Sequence, residues 1–315
     1  MDAVHDADAR GEALFVLGGG SNVVCADEGF PGLVGRMAIR GIEARRDGER
    51  VVVDVGAGEA WDALVARAVH EGWQGVASLS GIPGLVGATP IQNVGAYGEE
   101  VAETIASVRA FDRASGAFVD LASTECGFGY RASIFKRSDR WIVTRVTFAF
   151  ARGPDARVRY AELARALFVR EEGVAPAALV RDTVIALRRA KGMVLDPTDA
   201  DSVSAGSFFV NPIVDLPAAA RVQDVAGVAP PRFDAGDGRV KLPAGWLVER
   251  AGFAKGHGEG RAGVSRKHAL ALVNRGGATS RELLTLAHTI RDGVRARFGV
   301  TLEPEPVLVG CSWEE

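Results

Sequence analysis

Three short stretches carry residue types that could do chemistry. In "SAGSFFVNP" (204–212), Ser207 stands behind Gly206 and ahead of two phenylalanines, before an Asn-Pro stop. A small hydroxyl in that setting serves either as a turn former or as a proton donor held where bulky groups must approach. In "LGGGSNVV" (17–24), Gly18, Gly19 and Gly20 let successive backbone N–H groups face a phosphate, and Ser21 and Asn22 can add side-chain bonds. Val23 occupies the third-glycine position of the dinucleotide fingerprint, so a Rossmann reading is poor. A plain tight turn explains this stretch equally well. The third stretch, "SGIPGLVGATPIQNVGAYGEE" (80–100), holds Gly81, Gly84, Gly87, Gly95 and Gly98, with Pro83 and Pro90 fixing φ between them. A plain loop does not need that many glycines around a stiff apolar filling of Ile82, Leu85, Val86 and Ile91. Such a segment can wrap a large flat ligand closely. The competing, weaker reading is a glycine-lined packing interface between domains.

These stretches need a scaffold, and the flanking pattern supplies one of mixed α and β type. Residues 13–24 read as an apolar strand running into the glycine turn, and 50–61 as a second strand. Helical spacing covers 59–72 and ends at Gly72. A hairpin is expected over 105–122 and a strand over 140–150. Residues 175–192 read as a helix with Pro176 in its first turn and a stripe of Val180, Val184 and Leu187. Residues 227–241 read as a loop. The helix over 279–299 opens with a capping box of Thr279 and Glu282 and lines up Leu283, Leu286, Ile290 and Val294. The final residues look like a strand returning to the body of the protein, and a soft boundary falls near residue 195.

Composition bounds the function classes. A chain of 315 residues has room for two or three domains. The 37 basic and 40 acidic residues nearly cancel, so nothing draws the chain to nucleic acid or to an anionic membrane. No apolar run reaches the ~18 residues of a membrane span. Cys25, Cys126 and Cys311 lack CxxC spacing and read as reduced thiols of a cytoplasmic protein, and no histidine spacing supports a metal site.

Read in order, "LGGGSNVV", "GIPGLVGATPIQNVGAYG", "YRASIFK", "AGSFFVNP", "KLPAGWLVERAGFAKG" and "GVSRKHALALVN" resemble the motifs of the UDP-N-acetylenolpyruvoylglucosamine reductase family, also called UDP-N-acetylmuramate dehydrogenases. The resemblance covers nearly the whole chain and is most specific in its middle motifs. It implies an α+β chain: two subdomains of the vanillyl-alcohol-oxidase type hold non-covalent FAD, and a smaller α+β domain covers the substrate. On that pattern 1–34 is the remnant of the first FAD subdomain, joined by 304–315; 35–195 is the second; 196–303 binds substrate. Family members usually carry a "TT-x-R-x-G-G-P-A" region some tens of residues before the glycine turn. Here only "MDAVHDADARGEALF" precedes it, so an N-terminally truncated first subdomain is expected.

Carried over residue by residue, the resemblance assigns FAD contacts to Gly18, Gly19, Gly20, Ser21 and Asn22, and to Ile82, Pro83, Gly84, Gly87, Ala88, Pro90, Asn93, Gly95 and Ala96. It places the family's catalytic arginine on Arg131, its proton-donating serine on Ser207 and its glutamate on Glu305, the second acid of "LEPEP". Many members follow that glutamate with Val-Arg, whereas Pro306 and Val307 stand here. The substrate-binding positions fall on Tyr160, Lys191, Asn211 and Lys241, with Tyr160 matching the tyrosine of the family type that has an extra loop.

The implied reaction adds a hydride and a proton across a vinyl ether conjugated to a carboxylate. NADPH is the implied co-substrate and a UDP-sugar enolpyruvyl ether the implied substrate. A cation suits the charge that builds on the carboxylate, which is work for Arg131. A carboxylic acid such as Glu305 can hydrogen-bond the same group. A compact hydroxyl such as Ser207 can reach the congested carbon. A monomer is expected. Two other readings stay open: an FAD oxidase of the same fold acting on a sugar alcohol or lactone, and an inactive flavin-binding remnant. The oxidase would not need "AGSFFVNP".

Overall fold

The structure, a computed structural model, describes residues 2–314. Of these, 2–20 and 32–189 form one compact unit, and 21–31 and 190–314 form another. Both are α+β.

The first unit is built on an antiparallel sheet of β1 (Ile42–Asp47), β2 (Arg50–Gly56), β3 (Ile105–Asp112), β4 (Ala117–Ala122) and β5 (Trp141–Arg152), in the order β4-β3-β5-β2-β1. β5 is central, and β2 beside it is nearly continuous in valine; Val51 and Val53 are buried opposite Phe150 and Phe148 of β5, and Val55 is buried with them. The helix Trp61–His70 closes one face of this core through Trp61, Leu64, Val65 and Ala68, the spacing of a single helical stripe. Its Trp61 indole N–H donates to the Leu79 carbonyl at 3.1 Å, so the helix start is tied to the glycine-rich segment that follows. A smaller core joins the hairpin Asp155–Val158/Gly173–Pro176 to the helix Ala177–Ala190 through Val158, Leu163, Val180 and Val184. Pro176 is therefore the last residue of a strand and not part of the helix's first turn. Its missing N–H costs nothing there, because the helix starts one residue later.

In the second unit, Ser204–Ser207, Ala271–Asn274 and Ala262–Val264 form one antiparallel sheet. A second sheet consists of Ile213–Asp215, Arg239–Lys241 and Phe233–Asp234, and the last two of these strands lie in the 227–241 segment expected to be a loop. The connecting turn runs through Gly236, Asp237 and Gly238, all at positive φ. The helix Ser280–Phe298 has the expected reciprocal cap: Glu282 N–H donates to Thr279 Oγ1 and Thr279 N–H to the Glu282 carboxylate. Its buried face is Leu284, Ala287, Ile290, Val294 and Phe298, with Leu283 and Leu286 at the margin. The apolar run 13–24 is divided: Leu14–Leu17 pairs in parallel with Leu33–Arg36, and Val23–Cys25 pairs in parallel with Val307–Val309. No helix among the described residues is long and apolar enough to cross a membrane.

Candidate active site

In the first unit the two glycine segments meet. A Cβ on Gly19 would stand 3.0 Å from the Gly84 Cα, so bare backbone lies against bare backbone. Gly20 adopts φ +70°, and the N–H groups of Gly18, Gly19 and Gly20 donate to no carbonyl among the described residues. Successive amides in such a turn form an anion-binding concavity. The second segment is clamped from behind. Gly84 O accepts from Trp61 N, while Val86 N and Gly87 N donate to Glu59 O and Ala57 O at 2.8 and 2.9 Å. A Cβ on Gly87 would fall 2.5 Å from that of Ala57, which leaves glycine as the residue that fits. Gly81 N donates to Asp62 at 2.6 Å, and Asp62 is held by a two-pronged pair with Arg181 at 2.7 and 2.8 Å. Pro83 and Ala88 face solvent; Ile82 is half-buried and Pro90 buried. These features fit a flavin dinucleotide, whose diphosphate asks for unpartnered amides and whose ring asks for a close, side-chain-free approach.

Asn93 ties the far end of the segment. It is buried at φ +45°, donates to Glu100 at 2.7 Å and to Gly129 O at 3.0 Å, and accepts from Ala102 N. Gly95–Ala96 and Glu99–Glu100 then form a hairpin whose two-residue turn is Tyr97-Gly98, at φ +49° and +82°. Both turn residues at positive φ is the geometry that matches strand twist. Arg131 reaches back to this hairpin. Its guanidinium donates to Gly95 O at 2.7 Å and to Asn93 O at 3.4 Å. Arg131 itself sits at φ +52°, and Lys136 Nζ holds its carbonyl at 2.7 Å. Arg131 is thus aimed by backbone contacts at 93–95, and three of the unit's non-glycine residues at positive φ (Asn93, Tyr97, Arg131) lie in this one place. Such strain persists where surrounding contacts impose it.

Tyr160 caps the start of the helix Ala161–Ala166 and packs edge-on against Tyr97, ring centroids 5.6 Å apart. Burial pushes the Tyr97 phenol up to about 12 and raises that of Tyr160, so both are neutral hydroxyl donors at physiological pH.

In the second unit Ser207 is carried on a bulge. Ser204 pairs with Val273 and Ser207 with Ala271, so Ala205 and Gly206 together oppose Leu272. Gly206 is at φ +78°, yet a Cβ there would touch nothing within 4 Å; the glycine supplies the bend and not the space. Bulges of this kind re-aim the side chain that follows. Beyond it, Phe208 O accepts from Glu305 N at 2.8 Å and Val210 N donates to Glu303 O at 3.0 Å. Glu305 is half-buried and Glu303 exposed. Asn22 joins the same place, accepting at its carbonyl from Val307 N at 2.9 Å, with its amide 3.4 Å from Glu305 O; Ser21 is half-buried beside it in sequence. Asn211 and Lys241 form a separate group. Asn211 Oδ1 accepts from Ala244 N at 2.8 Å, which turns its amide nitrogen the other way. Lys241 pairs across the strands with Ile213, its ammonium 5.8 Å from the Phe233 ring. Lys191 is half-buried in the turn after the helix Ala177–Ala190.

Sequence reasoning did not single out Asp62, Arg181, Lys136 or Tyr97, which hold or touch the candidate residues. The one signal was "AYGEE", where a residue ahead of glycine between short strands marks a two-residue turn.

Residues 196–309 match the family described as UDP-N-acetylenolpyruvoylglucosamine reductase, C-terminal domain, and residues 1–122 match the family described as FAD binding domain. UDP-N-acetylenolpyruvoylglucosamine reductase of Thermobifida fusca is 53% identical over 98% of this chain and 89% of its own length. The enzyme of the same name from Salinispora arenicola is 53% identical over 98% of this chain and 87% of its own length. The crystal structure of UDP-N-acetylenolpyruvylglucosamine reductase from Thermus caldophilus superposes with a TM-score of 0.62 at 26% identity, covering 96% of this chain and 87% of that one. With relatives this similar along nearly its whole length, the chain belongs to the UDP-N-acetylenolpyruvoylglucosamine reductase family.

Proposed function

We propose that this protein reduces UDP-N-acetylglucosamine enolpyruvate to UDP-N-acetylmuramate, a step of peptidoglycan precursor synthesis, using NADPH and non-covalently bound FAD. The observation that carries the reading is the contact between Gly19 and Gly84, which joins two glycine segments into one side-chain-free cradle. It stands in a chain whose similarity to reductases of this name runs nearly end to end.

Gly18, Gly19 and Gly20, with Ser21 and Asn22, hold the FAD diphosphate through main-chain and side-chain donors. Ile82, Pro83, Gly84, Gly87, Ala88, Pro90, Asn93, Gly95 and Ala96 line the rest of the cofactor. The fold that does this is of the vanillyl-alcohol-oxidase type, with residues 196–303 as the substrate-binding domain. Bound FAD supplies a two-electron carrier between NADPH and the enolpyruvyl double bond.

The chain's own side chains do the remaining work. Arg131, fixed by the carbonyls of Asn93 and Gly95, presents a permanent cation to the substrate carboxylate as enolate charge builds there. Glu305 hydrogen-bonds the same group. Ser207 delivers the proton to the carbon beside the carboxylate, its Oγ losing the proton that the new C–H bond gains. Tyr160, Lys191, Asn211 and Lys241 bind the diphosphate of the sugar nucleotide; the Asn211 amide is already oriented for donation by its bond from Ala244.

Purified protein should be yellow, and acid should release all of its flavin. With NADPH and the enolpyruvyl substrate it should form UDP-N-acetylmuramate, one product for each NADPH consumed. Oxygen uptake with sugar alcohols and no reaction with the enolpyruvyl ether would instead support an oxidase.

A further inference from the structure

Residues 159 and 160 grip the tip of the 95–100 hairpin from consecutive positions in the chain. Tyr160 lays its ring against Tyr97, the first turn residue. Arg159 takes the second: its Nη1 donates to Gly98 O at 3.3 Å, and its Cβ lies 2.8 Å from where a Gly98 Cβ would be. The same guanidinium nitrogen binds both oxygens of Glu103, at 2.8 and 2.7 Å. Glu103 is itself fixed, accepting from Glu100 N at 3.1 Å at the end of the hairpin. Tyr160 starts a helix of six residues whose Leu163 and Ala164 are buried, but its own side chain is 39% exposed, and its ring packs on the hairpin through Tyr97. The Arg159 side chain is 29% exposed and that of Glu103 42%, so the pair is of modest strength and acts mainly by fixing geometry.

We propose that Arg159 is a positioning residue that registers Tyr160 on the cofactor-lining hairpin, with Glu103 as its anchor. The inference rests on the reading of Tyr160 as a ligand of the substrate diphosphate. A tyrosine held this way meets the diphosphate already ordered, so less conformational freedom is lost on binding. The strap also links the place where substrate is held to the segment that carries Gly95 and Arg131.

The test is calorimetric titration of oxidised holoenzyme with the enolpyruvyl substrate, without NADPH, so that no turnover occurs. Arg159→Met keeps the stem and removes the charge. It should weaken binding roughly three- to tenfold, the scale of losing a partly exposed ion pair and a charged bond to a carbonyl. Arg159→Lys should recover part of that loss, and NADPH should reduce the flavin of both Arg159 variants at the wild-type rate. Glu103→Gln cuts the same contact from the more exposed side and should act in the same direction. In a Tyr160→Phe background Arg159→Met should add little. If Tyr160→Phe weakens binding while Arg159→Met and Glu103→Gln do not, the positioning role is overturned and the Tyr160 reading stands. An Arg159→Met effect that persists undiminished in the Tyr160→Phe background also overturns it, because Arg159 then acts on the substrate independently. If Tyr160→Phe alone binds like wild type, the reading of Tyr160 falls and the proposal with it.

Discussion

The Glu305 N–H donates to the Phe208 carbonyl at 2.8 Å, locking the candidate acid to the residue that follows Ser207. Two motifs separated by nearly a hundred residues in the chain are thereby fixed in one register, and that register is protected. Phe208 is buried, its N–H donates to Leu270 O at 2.7 Å, and Pro304 is paired with Phe209. Substitutions of the Ser207 and Glu305 side chains leave all of these main-chain bonds in place, so their effects report chemistry more than folding.

Ser207→Ala should leave flavin reduction by NADPH nearly intact, because that step uses no donor hydroxyl. Flavin reoxidation by the enolpyruvyl substrate should fall by at least the ~10²–10⁴-fold of a lost general acid. Ser207→Cys should keep more activity than alanine. Stopped-flow absorbance separates the two halves, and an alanine variant that reoxidises at the wild-type rate would make Ser207 a bulge residue only.

Glu305→Gln should slow the same half-reaction by roughly 10²-fold, the scale of removing one group that stabilises developing charge. Glu303→Gln should change nothing, because that side chain is exposed and its residue contributes through a backbone carbonyl. Equal losses in the two variants would argue that the acid is not selected by its place beside Phe208.

Gly19→Ala places a methyl 3.0 Å from the Gly84 Cα, a backbone atom that cannot rotate away. Overpacking of this kind costs roughly 1–3 kcal/mol. The loss should appear as weaker FAD binding, measured by fluorescence of released flavin, and as a lower melting temperature of the holoprotein. Gly35→Ala is the control, since a Cβ there meets nothing within 4 Å. Retention of FAD by Gly19→Ala at the wild-type affinity would separate the two segments functionally.

The scaffold was most legible where local pattern and tertiary contact agree. The helix Ser280–Phe298 announced itself by Thr279, Glu282 and its apolar stripe, and the hairpin of β3 and β4 by alternation around a Gly-containing turn. The strands Phe233–Asp234 and Arg239–Lys241 were not legible, because they are two and three residues long and the sheet is completed by Ile213–Asp215, which pairs with Arg239–Lys241 from far back in the chain. The division of 13–24 between two units was hidden for a similar reason: Val23–Cys25 is specified by its partner Val307–Val309 and not by its own pattern. In the site, the glycine segments were conspicuous as sequence, but their contact at Gly19 and Gly84 was not. Nor does any periodicity disclose that Arg131 is bent into positive φ and held by Lys136, or that Asp62 is clamped by Arg181.

Glu99 gives the last prediction. It is 4% exposed, beside the turn that carries Tyr97 and Gly98, and its carboxylate accepts from Ser78 N at 3.0 Å. Burial pushes its carboxyl from the ordinary 4.5 up to about 7; the bond from the Ser78 N–H and the charge of Arg159 pull the other way, and Glu103 adds to the rise. In the unfolded chain the group ionises near its ordinary value. Between about pH 4.5 and 7 the folded state therefore binds a proton that the unfolded state has released, and stability falls as pH rises through that window. At 1.36 kcal/mol per unit, the penalty present above pH 7 is on the order of 3 kcal/mol. Glu99→Gln cannot ionise and keeps an oxygen for Ser78 N. The variant should unfold at higher denaturant than wild type at pH 8, and the two should converge near pH 5. A difference of constant size across that range would mean that packing, not the charge of Glu99, sets the effect.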